Sequence, residues 1–163
     1  MSGPVPRHAM RLPDRAIDHL LEAWPAARLA TTGPDGRPHL VPVVFAREGG
    51  RIWSPVDGKP KAGGVLARVR NVEHDPRVSL LLDHYEADWS RLWWLRIDGE
   101  ASAVRPEPGE QGREVAGAVA ALRRKYPQYG TVPVLRDPPV LIAVRPTAIR
   151  SWCAGAAAVP EEG

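Results

Sequence analysis

The first regular pattern along this chain is an apolar stripe with helical spacing. The stripe consists of Ile17, Leu20, Leu21 and Trp24. Positions three or four apart share one face of a helix, so this segment predicts an amphipathic helix that packs on a core. Asp14 can cap its start, and Pro25 can end it.

Alternating apolar residues then predict three successive antiparallel strands at 28–32, 39–46 and 51–55. Gly, Pro and Asp residues in 33–37 suit a tight turn between the first two strands. The second strand is apolar on both faces, so we expect a barrel interior on one side and a ligand, a helix or a second subunit on the other. Pro42 lacks an N–H group and indicates a sheet edge or a bulge.

The remaining pattern predicts two helices and four strands. The helices are expected over 65–74 and around 115–122, and the strands over 78–85, 92–104, 140–144 and 148–153, with Gly99 as a possible kink and Pro146 between the last two strands. This order predicts a mainly β, α+β fold: an antiparallel Greek-key barrel with flanking helices. We expect a single domain over 1–155 and a flexible tail over 156–163.

Composition narrows the function classes. The net charge is only +3, and basic and acidic residues are interleaved, which does not favour nucleic acid as a partner. Cys153 is the single cysteine, so no intrachain disulfide can form, and no apolar run resembles a signal sequence or a membrane span. We therefore expect a cytoplasmic protein that does not bind a membrane.

Common catalytic and metal-binding motifs are absent from the sequence. The five histidines and one cysteine are scattered, so no metal site is predicted. There is no phosphate loop, no dinucleotide fingerprint and no Gly-x-Ser-x-Gly elbow. No catalytic residue can be assigned from the sequence.

Two segments remain as candidates for binding. Lys59 and Lys61 lie in a Gly- and Pro-rich loop before a predicted helix, and Arg68 follows two turns later. Lysines beside a helix N-terminus attract anions, although a solvated basic turn explains the same pattern.

The second candidate is an aromatic and polar cluster over 83–94. Its members are Asp83, His84, Tyr85, Asp88, Trp89, Trp93 and Trp94. His84 is the best candidate for proton transfer, but a hydrogen-bonded surface histidine is the more common role for such a residue. The tryptophans suit either a substrate pocket or the centre of a dimer interface.

Three segments resemble the pyridoxamine 5'-phosphate oxidase-like family. They are ARLATTGPDGRPHLVPVVFA at 27–46, the stretch from VDGKPKAGG to RIDGEASAV at 56–104, and RRKYPQY at 123–129. Arg70-Asn71 followed by DPRVSL is typical of the whole superfamily. The regions 56–61 and 83–94 are most similar to the branch that binds the deazaflavin coenzyme F420.

The resemblance implies a split β-barrel homodimer that binds a cofactor at the subunit interface and acts on a small-molecule substrate. By carry-over, Val41, Pro42 and Val43 would pack on the cofactor ring, and Lys59, Lys61 and Arg68 would face its phosphate or acidic tail. Trp152 resembles an aromatic residue that closes over the site, although it could equally be a rim tryptophan that covers the core.

The expected function is hydride transfer between F420 and a small unsaturated or aromatic compound. The alternatives are an FMN-dependent oxidoreductase with the same fold and a non-catalytic module that binds flavin or haem. Oxidation of pyridoxamine phosphate is disfavoured, because the C-terminal segment lacks a convincing set of basic residues beyond Arg150.

Overall fold

The computed structural model describes residues 10–56 and 66–160. Its elements, in chain order, are α1 Asp14–Ala23, β1 Ala27–Thr32, β2 Pro38–Val43, β3 Ala46–Glu48, β4 Arg51–Pro55, α2 Ala67–His74, β5 Arg77–His84, β6 Trp93–Val104, α3 Glu110–Lys125 and β7 Leu141–Cys153. Short 3-10 helices span Trp89–Arg91, Pro127–Gly130 and Ala156–Ala158. None of the helices in these ranges has both the length and the apolar character needed to cross a bilayer.

The seven strands form one antiparallel sheet in the order β2-β1-β5-β6-β7-β4-β3. β2 and β3 lie at opposite ends of this order, yet only Val44 and Phe45 separate them in the chain. Two intervening residues can span about 11 Å, whereas the edges of a flat seven-stranded sheet lie about 29 Å apart. The sheet must therefore curl into a barrel that is split between β2 and β3, and the predicted fold class is confirmed.

Two apolar clusters hold this barrel together. The main core fills its interior and includes Leu29, Leu80, Leu82, Leu95 and Ile97, none more than 2% exposed. The second core lies between α3 and the outer side of β3, β4 and the first part of β7, around Trp53 and Leu122. The predicted amphipathic helix around 115–122 is thus confirmed as part of α3, and the structure places it on the outer side of these strands.

Helix α1 contributes Ile17, Leu20 and Leu21 to the main core, as its apolar stripe predicted. The predicted cap was wrong: Pro13 occupies the N-cap position without a side-chain cap bond, and Asp14 is the first helical residue. Asp14 instead lies 3.5 Å from the exposed guanidinium of Arg11.

Two strand boundaries also differ from the prediction. The apolar run 39–46 does not form one strand, because β2 ends at Val43 and the chain turns the barrel corner before β3 begins. The strands predicted at 140–144 and 148–153 form the single strand β7, which passes through Pro146. Pro146 is paired with Gly99 at a register shift between Asp98 and Gly99, so the missing N–H falls at an irregular point of the ladder.

The segment after β7 packs on the domain. Ala158 is only 4% exposed and belongs to the main core, so the first part of the expected flexible tail is held in place. The division of the chain into a domain over 1–155 and a tail over 156–163 stays a prediction.

Candidate cofactor site

β2 is an edge strand, as Pro42 indicated. Alternation places Pro42 and Leu40 on the outer face of the sheet, where Leu40 is 65% exposed. Val41 and Val43 point the other way: Val43 is buried in the core, and Val41 packs against it. The three predicted ring contacts therefore do not share one side-chain surface, and a ligand outside the sheet can meet Val41 and Val43 only through the backbone along this edge.

Helix α2 is attached to the barrel near the start of β2, close to His39. The buried Asn71 amide donates a hydrogen bond of 2.9 Å to the Thr31 hydroxyl, and Thr31 is paired with His39 on β2. His39 Nδ1 is buried and has no hydrogen-bond partner within the described part of the chain. A polar group from a ligand or water at this end of the strand would satisfy it.

Arg68 lies one turn before Asn71, so the two residues share a side of α2. It is half-buried in the first turn of the helix, which has no side-chain cap. Unpaired N–H groups and the positive end of the helix dipole add to the charge of the guanidinium there. Lys59 and Lys61, the other predicted anion contacts, lie outside the described residues.

Trp152 on β7 is paired directly with Trp94 on β6. By alternation the two indoles share the outer face of the sheet, and both are half-buried. Trp152 also packs against the edge of the main core. The site and rim roles that the sequence left open are thus both compatible with its position.

The outer face between β2 and Trp152 is mixed in polarity. Arg28 and Asp83 form an ion pair at 3.3 Å, and Arg96 and Asp98 form another at 3.2 Å. Asp98 also accepts a 2.7 Å hydrogen bond from the Ser79 hydroxyl. These four charged groups are therefore paired within the chain, which lowers the cost of covering them.

The predicted cluster over 83–94 is divided between two faces of the barrel. Asp83 and Trp94 lie on the outer face, whereas His84 and Trp93 lie on the inner side at the open end of the barrel. Tyr85 and Trp89 are exposed in the connecting loop. His84 Nε2 lies 3.1 Å from the Glu86 carboxylate, which is the hydrogen-bonded arrangement that the sequence favoured over proton transfer.

The superfamily motif at 75–77 has a local structural role. The Asp75 carboxylate accepts hydrogen bonds from the Arg77 backbone N–H and from its Nε, both at 3.0 Å. These bonds from Arg77 lower the pKa of Asp75 to about 2. They fix the turn between α2 and β5 and do not form part of the candidate site.

The described residues contain no group of three or more His, Cys, Asp or Glu side chains that could hold a metal ion. The candidate site is instead an apolar edge strand beside a cationic helix start. Such a surface suits a planar molecule with an anionic tail.

This curled antiparallel sheet with its flanking helices defines the class of split β-barrels. Residues 13–153 match the family described as pyridoxamine 5'-phosphate oxidase. Since the match spans most of the chain, the protein belongs to the pyridoxamine 5'-phosphate oxidase family, and the family resemblance seen in the sequence is confirmed. No curated protein sequence matches the chain.

Solved structures with this fold carry different descriptions. A conserved hypothetical protein from Mycobacterium tuberculosis is 25% identical with a TM-score of 0.66, covering 93% of this chain and 91% of that one. An F420 reductase is also 25% identical, with a TM-score of 0.53 and coverage of 81% and 94%. The haem storage protein HutZ from Vibrio cholerae is 18% identical, with a TM-score of 0.67 and coverage of 88% and 96%, and shows the fold alone.

Proposed function

We propose that this protein is an F420-dependent oxidoreductase that transfers a hydride between the deazaflavin and a small unsaturated or aromatic substrate. The observation that carries the proposal is the edge strand β2, with Leu40 exposed on it, at the end of the barrel to which α2 attaches Arg68. The protein is also similar to an F420 reductase, with 94% of the reductase chain covered, and this similarity supports F420 as the cofactor.

The residues at this edge suit such a cofactor in three ways. Leu40 and Pro42 supply an apolar surface, and the side of β2 without a neighbouring strand leaves backbone N–H and C=O groups for the polar rim of a planar ring. Arg68 supplies positive charge for a phosphate and an acidic tail, and the family resemblance assigns Lys59 and Lys61 to the same role. Trp152 of a second copy would cover the bound ring.

F420, when bound, supplies the hydride chemistry. The contribution of the protein is to orient the ring, to exclude water on the β2 side and to bind the substrate against it. No side-chain acid or base is required, because water can protonate the product.

A homodimer completes the proposed site. Leu40 and Pro42 at one end of the outer face and Trp94 and Trp152 at the other leave exposed and half-buried apolar surface on a single protomer. A two-fold axis through this face would bring both ends into contact with a second copy, since such interfaces are self-complementary. The single cysteine, Cys153, which is buried and free, supports the cytoplasm as the compartment.

Cofactor choice can be tested by titrating the purified protein separately with F420, FMN and haem. We expect F420 to raise the Tm and to lose fluorescence on binding, with weaker responses to the others. Preferential binding of FMN would support the FMN-dependent alternative. Tight haem or flavin binding without turnover of any electron acceptor would support a storage or sensing module.

Charge recognition can be tested with the Lys59→Ala, Lys61→Ala double variant. We expect its F420 affinity to fall about tenfold or more, since charged hydrogen bonds contribute about 1.5–3 kcal/mol each. The Arg113→Ala, Arg123→Ala double variant removes two exposed charges from α3 and should keep the original affinity. Equal affinity of both double variants for F420 would show that Lys59 and Lys61 do not contact the cofactor.

A further inference from the structure

A cavity of about 450 Å³ lies at the end of the barrel near His84, away from α2 and from the candidate cofactor site. Trp24 at the end of α1, His84 at the end of β5 and Trp93 at the start of β6 line it, together with Arg91 and the segment 156–160. We refer to it as the Trp24–Trp93 cavity. Its volume falls within the range of small-molecule sites, roughly 300–1,000 Å³.

The aromatic walls of this cavity meet at a corner. The Trp24 and Trp93 ring centroids are 4.7 Å apart with their planes at 75°. His84 lies nearly parallel to Trp93, with an interplanar angle of 21° and a centroid distance of 6.4 Å. Trp93 is only 3% exposed and forms the floor of the corner. A planar aromatic molecule in the cavity would therefore meet mainly the half-buried rings of Trp24 and His84, whose centroids are 6.3 Å apart with their planes at 85°.

The charged group on the wall is cationic. One oxygen of Glu86 lies 3.1 Å from Arg91 Nε, and the other lies 3.1 Å from His84 Nε2. The Glu86 carboxylate is therefore occupied by two partners, and the Arg91 side chain is still 62% exposed. Exposed guanidinium N–H donors match a carboxylate, and the same charge opposes a cation in this aromatic corner.

We propose that the Trp24–Trp93 cavity binds a planar aromatic carboxylate. The ring packs on Trp24 and His84 above the buried Trp93, and the carboxylate pairs with Arg91. This site is separate from the proposed cofactor site, because Trp93 and Trp94 are adjacent in β6 and point to opposite faces of the sheet. The proposal therefore stands whichever cofactor the protein uses.

The test is a ¹⁹F NMR titration of the full chain labelled with 5-fluorotryptophan, with the signals assigned by single Trp→Phe substitutions. The probe is 2-naphthoate. We expect saturable shifts of the Trp24 and Trp93 signals and none at Trp53, which lies in the second core. The neutral analogue 2-naphthamide and the non-aromatic anion cyclohexanecarboxylate should each bind about tenfold more weakly or worse.

The Arg91→Gln variant should weaken 2-naphthoate binding by about tenfold or more. Its control is Arg105→Gln, because Arg105 is also exposed and also pairs with one carboxylate, that of Glu73 at 2.9 Å. Shifts confined to Trp94 and Trp152, equal binding of 2-naphthamide, preferential binding of tetramethylammonium or an unchanged affinity in Arg91→Gln would each overturn the proposal.

Discussion

The phenolic oxygen of Tyr126 lies 2.9 Å from both the backbone nitrogen and the backbone oxygen of Phe45. Phe45 belongs to the two-residue link between β2 and β3, where the barrel closes. The same hydroxyl lies 3.1 Å from the Pro25 carbonyl. A side chain from the end of α3 thus satisfies the backbone groups that the strands leave unpaired at this corner, which buried polar groups require.

Tyr126→Phe should lower the free energy of unfolding by about 1–3 kcal/mol, because the buried Phe45 N–H loses its acceptor while the ring packing is kept. Urea unfolding followed by circular dichroism measures the change. Tyr85→Phe is the matched control, since the Tyr85 ring is exposed and its substitution should change stability by less than about 0.5 kcal/mol. Equal stability of the two variants would mean that the hydroxyl does not stabilise the corner.

Lys125 predicts a pH dependence at the same corner. Its ammonium lies 3.5 Å from the Phe45 ring centroid and donates to the Leu21 carbonyl at 3.0 Å. Burial lowers the pKa of Lys125 to about 8, against an opposing effect of Glu22 and an ordinary value of 10.5. Between about pH 8 and pH 10.5, Lys125 is protonated in the unfolded chain but largely neutral in the folded chain. The unfolded state therefore binds more protons in this range, and Lys125 makes the protein more stable as the pH rises.

The measurement is the difference in unfolding free energy between the natural chain and Lys125→Met at several pH values. The difference should change in favour of lysine by on the order of 1 kcal/mol from about pH 7.5 to about 9.5, allowing for solvent screening of the partly exposed amine. Higher pH is unsuitable, because burial also raises the pKa of Tyr126 to about 12. Above the ordinary tyrosine pKa of 10.0, the unfolded chain loses the Tyr126 proton more readily than the folded chain does. Tyr126 therefore makes the protein less stable as the pH rises, which is opposite to the effect of Lys125. A pH-independent difference would contradict the prediction.

The Asn71–Thr31 hydrogen bond should act as a coupled pair. Asn71→Leu or Thr31→Val alone leaves a buried polar group unpaired and should cost about 1–3 kcal/mol. The double variant replaces both partners by apolar groups of similar shape, so its cost should be smaller than the sum by about 1–2 kcal/mol. Additive costs in this double-mutant cycle would show that the bond does not hold α2 on the barrel.

Gly99→Ala should be strongly destabilising. A Cβ at this position would lie 2.6 Å from the Arg145 carbonyl oxygen and 2.8 Å from Val144 Cγ1, at the irregular point where β6 passes Pro146. We expect a loss of about 2–3 kcal/mol, because β7 must move to accommodate the methyl group. Gly130→Ala is the control, since a Cβ there has no neighbour within 4 Å. Similar Tm values for the two variants would disprove the close approach.

Leu40→Lys should weaken the proposed dimer by about tenfold or more, because it places a charge in the apolar part of the outer face. Sedimentation velocity over a range of protein concentrations measures the association. Val132→Lys introduces the same charge at another exposed apolar residue, one that the proposed interface does not include, and should leave the dimer intact. A monomeric natural chain, or a Leu40→Lys variant that associates normally, would refute the proposed interface.

Local patterns predicted the helices and most strands correctly, because each buries one periodic apolar face. The run 39–46 was misassigned because it is apolar throughout, and nothing near Phe45 in the sequence reveals Tyr126, the residue that stabilises the corner there. Pro146 suggested a break for a similar reason, since the bulge that accommodates it depends on Gly99 in another strand. Two errors of opposite sign left the predicted number of strands unchanged.

The candidate site was only partly accessible to sequence reasoning. Alternation in β2 could have separated Pro42 from Val41 and Val43 in advance, but the family resemblance groups them as neighbours. The sequence singled out His84 and Trp93, yet it gave no reason to join them with Trp24, about 60 positions earlier. The segment 156–160 was expected to fray because its composition is bland, whereas the burial of Ala158 depends on contacts that only the folded chain creates.

The position of β4 has a consequence for how the protein forms during synthesis. β4 pairs only with β3 and β7, and β7 ends at Cys153. On a ribosome, about 90 further residues must therefore be synthesised after Ile52 and Trp53 before their partners in β7, Val144 and Ala143, emerge. The nascent chain exposes the apolar side chains of Ile52 and Trp53 during that interval, and β7, the last strand of this sheet in chain order, is the one that allows the barrel to assemble.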